Sequence, residues 1–503
     1  MNRIQQTILN KQWRISNLYK IRDKEGRLIK FRRNRTQKHF SGNLHTRNLI
    51  LKSRQLGFTT EESIDALDDV LFTPNIDVLL IAHNLEAGEN IFNKKISFAW
   101  EQLHSQIKDL YEVDNKTSKT IKFNLGRKGF RSKAVDTTGR SGTYQRVHIT
   151  EFADLCKKYP KKVVDIIEGT IPAVPTTGRI DIESTSQGAS GEFYEMFMNA
   201  WERGEPTSPL EWKAHFYNWT WDDEEMIKIK EIIPFSKMEQ GDKFEKYAER
   251  HNLNAKQMTY YYQKWISLNK KWNSLKREYP TTPAEAFEAV AEGTFYGEII
   301  AAMEETGRIG IVPVDRAMKV HTVWDLGVGK NLVVGFYQRD PALNQLRKID
   351  YLEGEGSEAL PEIVSKILNK PYVYGKHFGP PDLNTTDIGT GQTRIKTAAG
   401  LGLRFTVVED LSLEDGINMA TLALDRLLVD KGKCNKWVLA MKAYSREWDE
   451  RKGMYKDEPY HNWASHGADE WRYAAIAESK MTNDSQFLNR PFYDQTVKIW
   501  RNE

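Results

Sequence analysis

The segment ILKSRQLGFTTEE, residues 50–62, is similar to a phosphate-binding loop whose lysine has moved. The usual loop reads G-x-x-x-x-G-K-[ST], and its lysine precedes the hydroxyl residue so that the ammonium group reaches the β- and γ-phosphates. Here Gly57 and Thr59 fit the second half, whereas Phe58 occupies the lysine position and Lys52 stands where the first glycine is expected. The segment therefore indicates either a nucleotide site with a relocated cation or an ordinary strand, turn and helix.

A strand over NLILK and a helix that begins near Phe58 would direct backbone N–H groups of the intervening turn toward an anion. Thr59 then supplies a hydroxyl for Mg²⁺. Lys52 can reach back across the loop to the phosphates, because Coulomb attraction depends on where the charge lies and not on its position in the chain. The predicted ligand is ATP with Mg²⁺. The candidate contacts are Lys52, Arg54, Gln55, Gly57, Phe58, Thr59 and Thr60.

Two later strands end in side chains that suit the same chemistry. RVHIT, residues 146–150, leads into Glu151, whose carboxylate is placed to polarise the water that attacks the γ-phosphate. The position before it, usually an aspartate that holds Mg²⁺ through water, is Thr150, which brings a hydroxyl but no charge. Another strand ends in STSQG, residues 184–188, small polar residues that can sense the γ-phosphate from the carboxyl edge of the sheet.

Two further segments carry candidate contacts. FRRNRTQ, residues 31–37, precedes the loop, and we expect the amides of Asn34 and Gln37 to read an adenine edge; a helix surface is the alternative for Gln37. GRSGT, residues 139–143, places Arg140 on a glycine-flanked loop. Arg140 is either an arginine finger, acting in cis or from a neighbouring subunit, or a phosphate contact for DNA.

Four short motifs occur in an order that is typical of one protein family: RQLGFTT with its displaced lysine, HITE, STSQG, and YPTTPAEAF at residues 279–287. Together they resemble the large terminase subunit of tailed bacteriophages, over residues 30–480. That family has a variant P-loop with the lysine at its first position, as Lys52 is here. The resemblance implies a DNA-packaging ATPase followed by a nuclease.

The implied nuclease needs metal-binding carboxylates in the second half of the chain. Asp325 ends a strand-like run in VWDLG, Asp382 follows the strand PYVYGKHF, and Asp469 lies in SHGADEWRYAA at the start of a predicted helix. In a ribonuclease H-like site such carboxylates hold two Mg²⁺ or Mn²⁺ ions, one activating water and the other stabilising the leaving oxygen. Asp387 is the alternative to Asp382, which is preferred because its context resembles the family's His-x-x-Pro-x-Asp pattern, beginning here at His377.

Other polar residues lie near these aspartates in the sequence. His466 is a candidate for orienting the scissile phosphate or assisting proton transfer, with an N-terminal helix cap as the alternative. Arg394 and Lys396 are expected to contact DNA phosphates, which would make DNA binding sensitive to salt. A lone aspartate at a strand end is more often a turn or cap residue than a ligand, so the order of the three aspartates carries the assignment.

The hydrophobic pattern predicts the elements that position these residues. Short apolar runs in the first half are spaced for crossover helices, which indicates a doubly wound, mostly parallel sheet. These runs are residues 48–52, 77–83, 146–150 and 179–185. The second half opens with three strand-like runs joined by short turns and continues with alternating helix and strand, which is typical of a mixed sheet of the ribonuclease H type. These three runs are residues 319–327, 331–338 and 346–354.

The predicted fold class is therefore α/β, with an N-terminal P-loop ATPase domain of the ASCE type, a helical subdomain, and a C-terminal ribonuclease H-like nuclease domain. A chain of 503 residues is expected to form at least two domains, since single cores stop growing near about 250–300 residues. The predicted boundaries are a basic arm at 1–30, the ATPase domain at 31–285 with a helical lid at 210–285, a linker at 286–315, the nuclease domain at 316–480 and a tail at 481–503.

Composition limits the class of protein. The hydrophobic fraction of 40% and the charged fraction of 28% are typical of a soluble globular protein, and no run reaches the roughly 18 apolar residues of a membrane span. Cys156 and Cys434 are too few and too far apart for a disulfide framework or a zinc site, and the first residues lack the apolar core of a signal peptide. We therefore expect a cytoplasmic protein that does not contact a membrane.

Positive charge is concentrated at the start of the chain. Residues 1–40 contain twelve lysines and arginines but only two acids, Asp23 and Glu25. Such an arm contacts phosphates or an acidic protein surface, or it is a solvated helical face.

The expected function is ATP-driven packaging of double-stranded DNA into the procapsid, with metal-dependent endonucleolytic cutting of concatemeric DNA. The resemblance implies these partners: double-stranded DNA, a small terminase subunit, the portal protein, and further copies of this chain in a homo-oligomeric ring, a pentamer on the portal. The expected location is the host cytoplasm, with transient binding to the portal. The alternatives are a helicase or repair ATPase with a nuclease domain, and an inactive DNA-binding scaffold, which Thr150 and Phe58 favour.

Overall fold

Two sheets organise the chain, one in each of its two structural units, Met1–Ala289 and Val290–Glu503. The computed structural model describes residues 8–483 except 112, 118, 124–129, 135–141, 190, 289–292, 328–330, 359, 385–392 and 450. In this part of the chain, no helix combines the length and the apolar character needed to cross a bilayer.

The first unit alternates strands and helices along the chain. Its strands are β1 Lys20–Arg22, β2 Leu28–Lys30, β3 Arg47–Lys52, β4 Val78–Ala82, β5 Val113–Lys116, β6 Thr120–Phe123, β7 Phe130–Ala134, β8 Arg146–Thr150, β9 Arg179–Ser184 and β10 Lys213–Tyr217. Its α-helices are α1 Lys11–Asn17, α2 Arg35–Gly42, α3 Phe58–Phe72, α4 Leu85–Ile91, α5 Phe98–Glu101, α6 Ser105–Lys108, α7 Phe152–Lys158, α8 Pro160–Asp165, α9 Glu192–Arg203, α10 Asp223–Ile227, α11 Gly241–His251, α12 Ala255–Ser267, α13 Trp272–Glu278 and α14 Pro283–Glu288.

The main sheet of this unit has the strand order β10-β3-β9-β8-β4-β7-β6-β5. Strands β10, β3, β9, β8, β4 and β7 are parallel, and β6 and β5 extend the edge in antiparallel fashion. Because β9 lies between β3 and β8, the strand that follows Glu151 in the chain is inserted next to the strand that ends in Lys52. This is the ASCE arrangement of P-loop ATPases, and it confirms the predicted fold class.

The two faces of the sheet differ because side chains alternate along each strand. In β8, Val147 and Ile149 join one hydrophobic core with α7 and α9, and in β9, Ile180 and Ile182 do the same. The residues between them are polar and lie on the other face, where α3 packs: Arg146, His148, Thr150, Asp181 and Glu183 are buried, and Arg179 is partly exposed. The sheet therefore presents a row of buried charged groups to the helix that follows the P-loop.

Ion pairs neutralise this row. Arg146 lies 2.6 Å from Glu62 and 2.7 Å from Asp65, both on α3, and Arg179 lies 2.9 Å from each of the same two carboxylates. Arg33 adds contacts to Asp65 from the segment before α2. Since an unpaired buried charge is strongly destabilising, this network fixes α3 against the sheet.

The described part of the basic N-terminal segment is bound to its own chain. Helix α1 packs on α3, and Ile15 and Tyr19 are buried there. Arg14 is buried and lies 2.6 Å from Asp68, and Lys11 lies 2.5 Å from Asp69. Lys11 and Arg14 therefore contact an acidic protein surface, one of the alternatives that the sequence left open, and this surface is α3 of the same chain.

The helical subdomain has an aromatic core. Trp219, Tyr261 and Trp265 are fully buried in it, with residues of α11, α12 and α13. Strand β10, inside the range 210–285 that the sequence assigns to the helical lid, instead pairs with β3 in the main sheet. Its short length and mixed polarity, KAHFY, gave no strong periodic signal.

The second unit begins with a helix and is built around a seven-stranded sheet. Its strands are β11 Ile309–Gly310, β12 Val320–Asp325, β13 Val333–Asp340, β14 Gln345–Glu353, β15 Tyr374–Gly379, β16 Phe405–Val407, β17 Leu427–Asp430, β18 Arg446–Asp449 and β19 Met454–Pro459. Its α-helices are α15 Gly297–Glu305, α16 Leu360–Leu368, α17 Arg394–Gly400, α18 Leu413–Ala423, α19 Lys431–Ala443 and α20 Trp463–Ala477.

The sheet of the second unit has the order β11-β17-β14-β13-β12-β15-β16. Strands β12, β13 and β14 form an antiparallel meander, and β15 and β16 continue from β12 in parallel. Numbered along the chain, these five strands have the order 3-2-1-4-5 of a ribonuclease H-like sheet, as the sequence predicted. Helix α15 and strand β11, which lie where the sequence predicts a linker, belong to this unit, and Ile300 and Met303 are fully buried in its core.

A buried charged group fixes α20 on this sheet. Lys348 of β14 lies 2.7 Å from Glu470 of α20, and the hydroxyl of Tyr337 on β13 accepts from Lys348 at 2.6 Å and donates to Glu470 at 2.7 Å. All three side chains are fully buried. A Cβ at Gly335 would lie 1.9 Å from the Glu470 carboxylate, so the sheet needs glycine where α20 approaches.

We expect Lys348→Met to lower the free energy of unfolding by about 3–5 kcal/mol, because it leaves Glu470 buried without a counter-ion. Burial already raises the pKa of Glu470 in the wild type. The stability that comes from protonated Glu470 is therefore present below the unfolded pKa of about 4.3 and is lost as the pH rises through the folded pKa. The Lys348→Met protein should therefore lose the most stability, relative to the wild type, at neutral pH. Chemical denaturation followed by circular dichroism at several pH values measures this.

The double variant Lys348→Met/Glu470→Met is the matched control and should recover much of the loss, since neither charge then remains buried. Lys366→Met removes an exposed pair with Glu358 and should leave the unfolding midpoint unchanged. A Lys348→Met protein as stable as the wild type would contradict the role given to this pair.

Candidate active sites

The ammonium group of Lys52 lies at the carboxyl edge of the first sheet. Lys52 is the last residue of β3 and is buried, and its Nζ lies 3.2 Å from Oε1 of Glu151 and 3.5 Å from Oε2 of Glu183. Burial alone would lower the pKa of Lys52, but the two carboxylates outweigh it and raise the pKa above its ordinary value. Lys52 is therefore a fixed cation that joins the ends of three strands.

Glu183 is the fully buried member of this group, and the sequence did not single it out. Its Oε1 accepts a hydrogen bond of 2.7 Å from the hydroxyl of Thr59, and the same oxygen lies 3.3 Å from Nε2 of His148. Burial opposes ionisation, but Lys52, His148 and Thr59 together lower the pKa of Glu183 to about 2. The site therefore holds a carboxylate next to the hydroxyl that the sequence predicts to contact Mg²⁺.

The turn between β3 and α3 has the shape of a phosphate-binding loop. Gln55 and Gly57 have positive φ values of 65° and 81°, and α3 begins at Phe58 directly after them. Helix α3 is 15 residues long, so its first N–H groups and its dipole favour an anion at this end. Thr59 and Thr60 lie in its first turn, and the hydroxyl of Thr60 accepts a hydrogen bond of 2.5 Å from Lys95.

Asn34 and Gln37 hold this loop from behind. Asn34 caps α2, and the two side chains form a capping box with each other's backbone. The remaining amide groups donate to the loop, Asn34 Nδ2 to the carbonyl of Leu56 at 3.2 Å and Gln37 Nε2 to that of Gly57 at 2.9 Å. Both residues, predicted as readers of adenine, thus contact the P-loop backbone in this structure.

Two predicted loop residues face away from the Lys52 cluster. Phe58 is buried against Phe40 and Tyr217 in a small apolar core, with ring centroids 5.4 Å and 5.1 Å away. Arg54 is exposed and lies 3.3 Å from the carboxylate of Glu278 in α13. The residue in the usual lysine position therefore packs the helix onto the sheet, which explains why the cation must come from elsewhere.

Glu151 stands at a strained point of the backbone. It lies between β8 and α7 with φ 54° and ψ 47°, a left-handed conformation that costs a non-glycine residue about 1–2 kcal/mol. Its Oε2 lies 3.5 Å from both the N–H and the hydroxyl of Thr185, the second residue of STSQG. The three strand ends picked out by the sequence therefore meet. Arg140, the predicted finger, lies outside the described residues.

The second unit brings Asp325 and Asp469 together around His466. Asp325 ends β12, and its Oδ2 lies 3.0 Å from Nδ1 of His466 in the first turn of α20; Asp469 lies one turn further along the same helix. Burial raises the pKa of Asp469, Arg472 at 2.9 Å opposes this, and the charge of Asp325 adds to it. Asn462 caps α20, so the cap interpretation of His466 does not apply.

Asp382 has a different partner. It lies in a short 3₁₀ helix after β15, is half-exposed, and pairs with Arg394 at 2.9 Å. The pKa of Tyr473 is raised to about 12, chiefly by burial, and the charges of Asp469, Asp325 and Asp382 add to the rise. Within the described residues, no three His, Cys, Asp or Glu side chains are grouped closely enough to hold a metal ion. Asp387 lies outside these residues.

Two further predicted residues of this unit have defined surroundings. His377 is buried, and its Nδ1 lies 2.7 Å from the hydroxyl of Thr322, so it joins β15 to β12. Burial lowers the pKa of His377 to about 4. Lys396 is exposed on α17, two residues after Arg394.

Sequence reasoning missed three polar residues at these two sites. The alternation of polar and apolar residues in RIDIE, residues 179–183, indicates that Glu183 lies on the same face of the sheet as Arg179 and Asp181, so the sequence pattern could have identified it. Glu353 ends β14 and pairs with Val333 of β13, which in turn pairs with Asp325 of β12. This alignment could be expected from the sequence, because the first strand and the third strand of a meander end at the same edge of the sheet. Lys95 lies in a π-helical turn, Phe92–Ser97, and no pattern in the sequence marks it.

Solved structures with similar folds are phage large terminases or domains of them. The large terminase of bacteriophage HK97 is 11% identical, with 95% of this chain and 100% of that chain covered and a TM-score of 0.43. The ATPase domain of the Thermus phage P74-26 large terminase is 17% identical, with coverage of 50% and 94% and a TM-score of 0.35. The nuclease domain of the P22 large terminase is 12% identical, with coverage of 36% and 91% and a TM-score of 0.29.

These solved structures belong to the family that the short motifs of the sequence resemble. No protein-family model matches the chain, and no curated protein matches it.

We expect the pKa of His466 to lie above 6.5 in metal-free buffer and to fall in Asp325→Asn, because the hydrogen bond to Asp325 is the main cause of its rise. The stability from this pair is present below the unfolded pKa of about 6.5 and is lost as pH rises through the folded pKa. Titration of histidine NMR signals, with His466→Gln for assignment, measures the shift. Asp382→Asn is the control; an equal fall there would contradict the pairing.

Proposed function

We propose that this protein is a phage large terminase, which uses ATP hydrolysis to package double-stranded DNA into the procapsid and cuts concatemeric DNA with a metal-dependent nuclease. The observation that carries the proposal is the meeting of Lys52, Thr59 and Glu151 at one edge of the first sheet, in a chain whose second unit ends β12 in Asp325, which contacts His466 one turn before Asp469. A motor site and a nuclease site on one chain are what packaging and cutting require.

In the proposed ATPase site, Lys52 supplies the positive charge for the β- and γ-phosphates. Its contact with Glu151 can be exchanged for a phosphate oxygen, since Glu151 is partly exposed and the contact is 3.2 Å long. Glu151 polarises the attacking water, and Thr185 beside it connects the γ-phosphate to the strand β9. Asn34 and Gln37 hold the loop in the shape that binds phosphate. Mg²⁺, bound near Thr59, supplies charge neutralisation.

In the proposed nuclease site, Asp325 and Asp469 provide carboxylate oxygens for Mg²⁺ or Mn²⁺, and Asp382 joins them when Arg394 turns to a DNA phosphate. The metal ions supply activation of water and stabilisation of the leaving oxygen. His466 holds Asp325 in position through its Nδ1 contact. Exposed Arg394 and Lys396 neutralise DNA phosphates, which makes binding depend on salt.

The proposed partners follow from this function: double-stranded DNA, a small terminase subunit that brings it, the portal of the procapsid, and four further copies of this chain in a pentameric ring on the portal. The proposed location is the host cytoplasm, with transient binding to the portal. Arg140 is proposed as the arginine finger, and the ring would allow it to act on a neighbouring site.

Two other functions use the same features in different ways. A helicase or repair ATPase with a nuclease domain would separate DNA strands, and it would move along DNA without any procapsid. An inactive DNA-binding scaffold would keep both folds and lose turnover; Thr150 in place of an aspartate favours it, while the paired cluster of Lys52, Glu151 and Glu183 favours an active site.

We expect Glu151→Gln to lower DNA-stimulated ATP hydrolysis by about 10²–10⁴-fold while nucleotide binding is kept, because the amide cannot accept a proton from water. Steady-state phosphate release by the protein, assembled with portal procapsids and small subunit, measures the rate. Protection of duplex DNA from added DNase measures packaging in the same reaction.

Glu195→Gln, an exposed glutamate on α9, is the control and should match the wild type. Equal hydrolysis by wild type and Glu151→Gln, or no hydrolysis by either, would refute the motor. Hydrolysis with strand separation but without protected DNA would favour the helicase.

We expect Asp325→Ala and Asp469→Ala to abolish Mg²⁺- or Mn²⁺-dependent cleavage of plasmid DNA while ATP turnover stays within about twofold, because the two sites lie on separate sheets. Agarose-gel conversion of supercoiled plasmid measures cleavage. Asp410→Ala, an exposed loop aspartate of the same unit, is the matched control. Cleavage retained by both site variants would refute the nuclease assignment.

A further inference from the structure

One charge is missing from the proposed ATPase site. The residue before the catalytic glutamate is Thr150, a neutral side chain in the position where an aspartate usually orders Mg²⁺ through water. Thr150 is buried on the face of the sheet that α3 covers, so solvent cannot replace the missing charge. A hard divalent cation next to a triphosphate needs a carboxylate from some other element.

Glu183 lies next to this position on the neighbouring strand. Thr150 of β8 and Glu183 of β9 are direct partners in the register of the parallel pair. Glutamate is one methylene longer than aspartate, and Glu183 reaches the P-loop helix, where its Oε1 accepts from the Thr59 hydroxyl at 2.7 Å. A carboxylate and the P-loop hydroxyl are thus already joined, as oxygen donors of the kind Mg²⁺ prefers.

The surroundings of Glu183 show that it is held in place for this contact. Its other oxygen lies 3.5 Å from Nζ of Lys52, and His148 lies 3.3 Å away on the strand that carries Thr150. Burial lowers the pKa of Lys95, which donates to Thr60, and the charge of Glu183 opposes this fall. Glu183 is fully buried, so its position is set by these partners and not by solvent.

We propose that Glu183 supplies the metal-ordering carboxylate of the ATPase site, in the role usually filled by the residue before the catalytic glutamate, and that it acts with Thr59. The assignment rests on the proposed ATPase function. The site then contains two relocated charges, Lys52 moved toward the N-terminus of its loop and the acid moved from β8 to β9. Both relocations keep the charge near the phosphates, and electrostatics requires no more than that.

A purely structural role is the competing explanation, in which Glu183 only neutralises buried Lys52. The two roles differ in how nucleotide binding depends on metal. A metal-ordering carboxylate matters when Mg²⁺ is present. A counter-ion for Lys52 affects nucleotide affinity equally with and without Mg²⁺.

The test compares binding of a fluorescent ATP analogue in Mg²⁺ buffer and in EDTA, for wild type, Glu183→Gln and Thr150→Asp/Glu183→Gln. We expect Glu183→Gln to lose about 10- to 100-fold of the gain in affinity that Mg²⁺ gives, while affinity in EDTA is kept or improved. The double variant returns the carboxylate to β8 and should restore most of that gain. Electron paramagnetic resonance of Mn²⁺ bound with ADP detects the metal directly. The Mn²⁺ signal of the bound complex should be strongest for the wild type, weaker for the double variant and weakest for Glu183→Gln.

Glu183→Asp keeps the charge and provides a folded comparison if Glu183→Gln fails to fold; it should retain more of the Mg²⁺ gain than any variant without a carboxylate in this position. Two results would overturn the role of Glu183 without affecting the proposed ATPase function. One is that Mg²⁺ raises the nucleotide affinity of Glu183→Gln as much as that of the wild type. The other is that Glu183→Gln loses affinity equally in both buffers and Thr150→Asp/Glu183→Gln does not restore it. No nucleotide binding by the wild type in either buffer would overturn the proposed ATPase function as well.

Discussion

The first unit depends on the neutralisation of one buried cation. Lys52 ends β3 inside the protein, and its ammonium group lies between the carboxylates of Glu151 and Glu183, which come from β8 and β9. Taking a charge out of water costs several kcal/mol unless it is paired, so the three strand ends must stay together. The same requirement places an ammonium group, two carboxylates and the hydroxyl of Thr59 at one edge of the sheet, where parallel strands bring their carboxyl ends.

This rule extends through the whole face of the sheet that α3 covers. Arg146 and Arg179 neutralise Glu62 and Asp65 of α3, which orients the helix whose first turn carries Thr59. In the second unit, buried Lys348 and Glu470 orient α20, which also carries His466 and Asp469. In each unit a buried ion pair therefore positions the helix that brings residues of the candidate site to the sheet.

The surroundings of individual residues change what they can contribute. Asn34 and Gln37 use their amides to hold the P-loop, and Phe58 uses its ring to pack α3 against Phe40 and Tyr217. These residues support the site through the shape of the loop. Because Phe58 is needed as an apolar contact, the lysine position of an ordinary P-loop is lost, and the cation comes from β3 instead.

The sequence by itself determined the fold class and the strands that carry Lys52, Glu151 and Asp325, because periodicity and residue order along the chain are local properties. It also indicated that Thr59, Glu151 and STSQG belong to one site, since parallel strands share a carboxyl edge. The tertiary structure alone decided which side chains are in contact: that Glu183 joins Lys52 and Thr59, that Asp382 pairs with Arg394, and that β10 lies beside β3. These contacts depend on strand register and helix packing, which bring Glu183 to Thr59 across 124 positions of the chain and leave no local pattern in the sequence.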